Sequence, residues 1–142
     1  MKKTILIVLL ALFSCKSDQS GEKPIAQPER VLKKWATAIK NLDYERYAEC
    51  EVHPRLKEEF LNMYKDYYLS EIQINTETRE TKIDRDQYHK RELLFDCVMV
   101  NRKSHNAKKR IVGNVDFIKY IDLTKSKRGW LMFNRTLIET NL

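Results

Sequence analysis

Metal or thiolate chemistry needs its ligands close together, and the chain offers one pairing of that kind. Cys50-x-x-His53 sets a thiol and an imidazole three residues apart near a predicted helix end, with Cys97 as a further donor. Structural zinc sites use four ligands, and no second pair accompanies this one, so no metal centre is expected. His89 and His105 stand alone, and no serine lies in a nucleophile-elbow context. Only Gly113 and Gly129 fall in the body of the chain, too few to build a loop that cradles phosphate. The composition therefore implies no cofactor, and it speaks against a nucleotide-dependent enzyme.

Charge is the other source of chemistry. Alternation along the last predicted strand puts Arg135 on the same face as Leu131, Phe133 and Leu137. A buried arginine requires a carboxylate or several carbonyls. It can project into a cavity mouth as a ligand contact, or sit near a strand end where its guanidinium reaches water. Elsewhere, Arg102, Lys103, Lys108, Lys109 and Arg110 crowd one hairpin, while Lys125, Lys127 and Arg128 crowd the next. Successive turns of a meander fall at opposite ends of a sheet. No continuous basic face forms, which argues against nucleic acid as a partner. The plain role of such clusters is solubility and keeping hairpin ends apart. The sharper reading is that Lys108, Lys109 and Arg110 bind an acidic polymer or an anionic head group.

The elements that must position these residues are legible from periodicity. From Glu29, Val31, Leu32, Trp35, Ala38, Ile39 and Leu42 recur at helical spacing, with Pro28 suited to the first turn. Asp43 can cap a second helix over Tyr44 to Glu51, with Tyr47 and Ala48 inward. After Pro54, Leu56, Phe60, Met63, Tyr64 and Tyr67 give a third helix of about 13 residues its apolar stripe. Beyond Tyr68 the period falls to two, and strands are predicted over 70–82, 88–101, 110–121 and 129–138. The inner face of the second carries Leu93, Phe95, Cys97 and Met99, which leaves Asp96 pointing the other way. Asp116 on the third strand is likewise opposite Val115 and Phe117. The expected fold is α+β: three N-terminal helices packed on one face of a curved four-stranded antiparallel meander. The 114 residues from Glu29 to Leu142 suit one domain with one core.

Met1-Lys2-Lys3 precedes nine consecutive apolar residues, Ile5 to Phe13. As a helix that run covers roughly 14 Å, about half a hydrocarbon core, so it is too short to span and reads as a removable export signal. Leu12-Phe13-Ser14-Cys15 resembles the lipobox of bacterial lipoproteins, with Phe13 where the pattern usually has a smaller residue. The resemblance implies cleavage of residues 1–14, lipidation of Cys15 with acyl chains such as palmitate, and a membrane anchor. Residues 15–28, polar and punctuated by Gly21 and Pro24, have the composition of a tether. Lys16 and Ser17 follow the cysteine instead of the aspartate associated with inner-membrane retention, so the resemblance points to the outer membrane or cell surface. Cleavage also removes Lys2 and Lys3, lowering the formal charge from +7 to about +5.

Export would leave Cys50 and Cys97 outside the reducing cytosol. A disulfide between them would close a loop of about 48 residues and stabilise the fold by roughly 4 kcal/mol. Two separate buried thiols are the alternative.

Trp35, Ala38 and Ile39 in the first helix, the junction Asn41-Leu42-Asp43-Tyr44, and long strands ending in Gly129-Trp130 together resemble the nuclear transport factor-like, or ketosteroid-isomerase-type, α+β roll over residues 29–138. In that family the sheet curls around the helices and leaves a cavity. The fold does not settle function. The resemblance implies that an enzyme would place a carboxylate base and a tyrosine in the cavity, with Tyr44, Tyr47, Asp96 and Asp116 as candidates. Since Asp96 and Asp116 are expected outside, the inner set is apolar with Arg135 as its one charge. That favours a non-enzymatic, lipid-anchored envelope module that binds a protein or small apolar ligand through Tyr44, Tyr47 and Arg135. The alternative is a small-molecule lyase or isomerase that uses the roll cavity.

Overall fold

The computed structural model describes residues 27–75, 80–84 and 87–140. The export signal and nearly all of the tether, Cys15 included, lie outside the described residues.

Helix α1 runs from Pro28 to Asn41 and buries Val31, Leu32, Trp35, Ala38 and Ile39 along one stripe. Removing large side chains such as these from water contributes roughly 1.5–3 kcal/mol each. The helix stops at Leu42, whose φ of 53° is left-handed, and Asp43 N–H closes back on the Ala38 carbonyl at 2.9 Å. A non-glycine residue in that region costs about 1–2 kcal/mol. Packing of the Leu42 side chain against the core offsets that cost. Asp43 then caps α2, Tyr44–Glu49, by accepting from Arg46 N–H.

Helix α3 spans Lys57–Tyr64, eight residues and not the expected 13. Tyr67 does not extend its stripe, because Tyr67 and Tyr68 already pair with Asn101 and Val100 in the sheet. Phe60 and Tyr64 are buried from this helix, while Leu56 and Met63 are exposed.

The strands are β1 (Tyr67–Asn75), β2 (Glu80–Asp84), β3 (Tyr88–Asn101), β4 (Ala107–Tyr120) and β5 (Leu131–Thr140). β1 and β2 take successive stretches of one edge of β3, so the sheet is four strands wide, in the order β1/β2, β3, β4, β5, and antiparallel throughout. The first predicted strand is thus divided. Where a plain turn was expected between β4 and β5, a single helical turn, α4 (Leu123–Ser126), is capped by Asp122. The fold is α+β, with α1, α2, α3 and alternate sheet residues sharing one buried cluster.

One register shift changes the face of several side chains. Phe117 pairs with Met132, yet Asp116 pairs with Asn134, so Phe133 is an extra residue bulged out of β5. A bulge resets the two-residue alternation. Met132, Arg135, Leu137 and Glu139 therefore lie on the core side, whereas Leu131 and Phe133 do not share the Arg135 face as simple alternation had it.

Candidate functional site

The sheet register builds a cavity of about 520 Å³ between the end of α3 and the core-side face. Leu69, Met99 and Lys109 stand side by side across β1, β3 and β4. The next rank is Cys97, Ile111 and Glu139, and the one after is Phe95, Gly113 and Leu137. Gly113 has no side chain for a physical reason: a Cβ there would come within 2.3 Å of the Phe95 ring. The ring occupies that space instead. Met63 and Tyr64 close the cavity from α3, with Tyr67 and Tyr68 from the start of β1.

Its walls are mostly apolar, and its charges are at the mouth. Lys109 pairs with Glu139 there, each about half exposed. The hydrogen bond to Glu139 holds the Lys109 ammonium above its ordinary pKa, and the Tyr67 phenol adds to the effect. Tyr64 is the buried polar group of the wall, its hydroxyl pushed up to about 12 chiefly by burial.

A second cluster lies deeper and is not among the residues that line the cavity. Cys50 to Val52, just after α2, bridges the start of β5, with Met132 N–H donating to the Cys50 carbonyl at 2.8 Å and Val52 N–H to the Met132 carbonyl at 2.9 Å. This places Glu51 inside the protein, 3% exposed. Its carboxylate accepts from Trp35 Nε1 at 2.9 Å and from Arg135 Nη1 at 2.5 Å. The Arg135 guanidinium also sits 5.2 Å from the Trp35 ring centroid. Burial raises the Glu51 pKa, and Arg135 and the Trp35 N–H act against it. On Arg135, burial is the largest influence and opposes the charge, but Glu51 together with Tyr64 and Tyr47 outweighs it and raises the guanidinium pKa. Tyr47 is fully buried alongside, and burial, with the Glu51 charge adding to it, raises its hydroxyl pKa. The cluster ties α1, the end of α2 and β5 together.

The other residues singled out from the sequence fall as follows. Tyr44 donates to the Arg55 carbonyl at 2.9 Å and packs edge-on against Phe60. Tyr47 stacks at 4.5 Å on Phe60 in the core. Arg135 meets its carboxylate, so Tyr47 and Arg135 are brought together, although neither lines the cavity, and Tyr44 does not line it either. Cys50 and Cys97 are separate free thiols, both buried, and burial pushes each up to about 11. Asp116 pairs with Lys90 at 2.9 Å and Asp96 with Arg110 at 3.4 Å, both away from the core. Lys109 and Arg110 therefore point to opposite faces of β4, and the Lys108 side chain lies outside the described residues. Among the described residues no three His, Cys, Asp or Glu side chains converge as a metal site.

Arg102, counted with the basic hairpin, is used internally. It donates to the carbonyls of Ile39 at 2.6 Å, Lys40 at 2.7 Å and Tyr64 at 2.8 Å. These are carbonyls at the ends of α1 and α3, where helix geometry leaves acceptors short of intrahelical donors; the Ile39 carbonyl also accepts from Leu42 N–H at 3.1 Å.

Sequence reasoning missed Glu51 and Glu139. Glu51 follows a short helix and has no periodicity of its own to mark it, so the only signal was Arg135's need for a carboxylate. Glu139 becomes visible only through its register with Ile111, beside Lys109. No protein-family model and no curated protein matches this chain.

Proposed function

We propose that this is a lipid-anchored cell-envelope protein whose single domain binds a small apolar ligand without transforming it. The domain is read as a roll, its sheet curling around the three N-terminal helices so that the inner face holds the ligand. The anchor is Cys15, at the outer membrane or cell surface, with the polar residues up to Pro28 holding the domain off the lipid. Residues 1–15 supply the support for that part: a basic start, a short apolar run and a lipobox-like end.

The observation that carries the binding reading is the cavity of about 520 Å³ with Leu69, Met99, Ile111 and Leu137 in its walls and an ion pair only at its mouth. Ligand sites of this size are typically concave and largely apolar with a few placed polar groups. A lyase or isomerase would need a base facing the substrate. Asp96 and Asp116 are engaged in ion pairs on the other face, Glu51 is held by Arg135 and Trp35, and Glu139, the carboxylate that does line the cavity, is paired with Lys109 at its mouth.

Native mass spectrometry of the protein isolated from envelopes tests the reading. A co-purifying small molecule is expected, lost in Leu137→Arg, which places a charge in the wall at a site already 37% exposed. No bound mass, or one that persists in the variant, overturns it. Labelling with a fatty acid tests the anchor: incorporation should disappear in Cys15→Ala, and envelope fractionation should place the labelled protein in the outer membrane.

A further inference from the structure

The polar groups at the cavity mouth give the ligand a head as well as a body. We propose, building on the reading of this cavity as a ligand site, that the ligand is a single-chain amphiphile ending in a carboxylate. Its chain lies against Leu69, Met99 and Leu137, and its head takes the place of the Glu139 carboxylate on Lys109.

Three features favour a negative head over a positive one. First, the two sides of the Lys109–Glu139 pair are held unequally. Lys109 stands on β4, between β3 and β5, whereas Glu139 is next to the last residue of β5, whose far side pairs with no further strand among the described residues. Glu139 is thus the side chain that can swing away, leaving Lys109 in place. Second, Tyr67 lines the same cavity as Lys109. A phenol and an ammonium together can donate one hydrogen bond to each oxygen of a carboxylate. Third, the chain carries an excess of basic residues, and its long-range field draws anions toward the site.

The exchange costs little. Both partners of the pair are about half exposed, and exposed ion pairs contribute little to stability. An incoming carboxylate restores the contact that Glu139 gives up. Its chain gains from leaving water. Phosphate heads are a poorer fit, because a carboxylate replaces Glu139 charge for charge whereas a phosphate monoester brings about −1.5 to −2 to a single ammonium. The nearby arginine, Arg102, is already committed to three backbone carbonyls.

The test uses the full-length chain carrying Cys15→Ala, which has no acyl group of its own to compete for the cavity. Binding of dodecanoate, methyl dodecanoate and dodecyl phosphate is measured by calorimetry below their aggregation concentrations. Dodecanoate should bind about tenfold more tightly than its methyl ester. Lys109→Gln should remove that preference, bringing acid and ester to equal affinity, and Glu139→Gln should tighten dodecanoate alone severalfold. That last gain is one a merely structural role for the pair would not give. Equal affinity for acid and ester, or tighter binding of dodecyl phosphate, overturns the carboxylate assignment and leaves the apolar cavity standing. If neither the acid nor the ester binds, the cavity reading itself fails along with it.

Discussion

Glu51 and Arg135, 84 residues apart in the chain, meet at 2.5 Å with Glu51 only 3% exposed and the Trp35 indole bonded to the same carboxylate oxygen. A pair so far from water is stable only while both members are present. Arg135→Met leaves a buried carboxylate without its counter-charge and should destabilise the domain by about 3–5 kcal/mol. Adding Glu51→Gln removes the stranded charge and keeps an acceptor for Trp35, so the double variant should recover most of that loss. The measurement is the urea midpoint at unchanged slope. A loss below about 1 kcal/mol for Arg135→Met would show the pair to behave as a surface contact.

Alkali should unfold the protein early. Burial raises the Cys50 and Cys97 thiols to about 11 and the Tyr64 phenol to about 12. Each group stays neutral in the folded state at a pH where the unfolded chain has lost the proton, so unfolding releases protons. The stability they contribute is complete below the unfolded thiol value of 9.0 and is lost as pH rises to about 11, with Tyr64 extending the loss to about 12. At 1.36 kcal/mol per unit, each thiol accounts for roughly 2–3 kcal/mol. Denaturant titrations between pH 7 and alkaline pH measure it, and Cys97→Ala should flatten the slope. A slope that stays flat in the wild type refutes it.

Because both thiols are free and almost fully buried, an alkylating reagent should label neither in the native protein and both after denaturation, with no reductant added. Mass spectrometry reads the added groups directly. Labelling that requires reductant would mean that the two are paired.

Arg102 fastens the β3–β4 turn to the ends of α1 and α3 through three backbone carbonyls. Hydrogen bonds to a charged donor contribute about 1.5–3 kcal/mol, and losing them takes the donor from the Lys40 and Tyr64 carbonyls, while Ile39 keeps the Leu42 N–H. Arg102→Ala should therefore cost about 2–3 kcal/mol, and Arg102→Lys should recover only part, since an ammonium lacks the fork that reaches carbonyls of two helices. Hydrogen exchange should show faster opening at the end of α1 in the alanine variant. Unchanged exchange and stability would show that Arg102 is no anchor.

Gly113→Ala brings a methyl within 2.3 Å of the Phe95 ring, which is itself buried and has little room to move. Overpacking of this kind should cost about 1–3 kcal/mol. Phe95→Leu in the same chain should relieve part of the clash, giving a double variant more stable than the two separate losses add up to. Strict additivity in thermal melts would count against the contact.

Much of the local structure was decided by residues close together in sequence. The apolar spacing of Val31, Leu32, Trp35 and Ile39 specified α1, and Asp43 specified where α2 begins, since both signals act within one or two helical turns. Strand β3 was legible at both ends because fourteen residues of alternation outweigh any local ambiguity. The outward placement of Asp96 and Asp116 followed from the same period of two. Of the cavity, the apolar side chains were legible as an inner face. Tertiary structure decided the rest. Tyr67 carries a helical spacing, but pairing with Asn101 offers its backbone a partner that the helix does not, and the strand wins. The bulge at Phe133 reverses an alternation that would otherwise place Leu131 beside Arg135. Arg135 announced by its type that a carboxylate was needed. Which carboxylate was chosen depended on Met132 bonding to Cys50, a long-range contact that carries Glu51 into the core and exists only once the chain has folded.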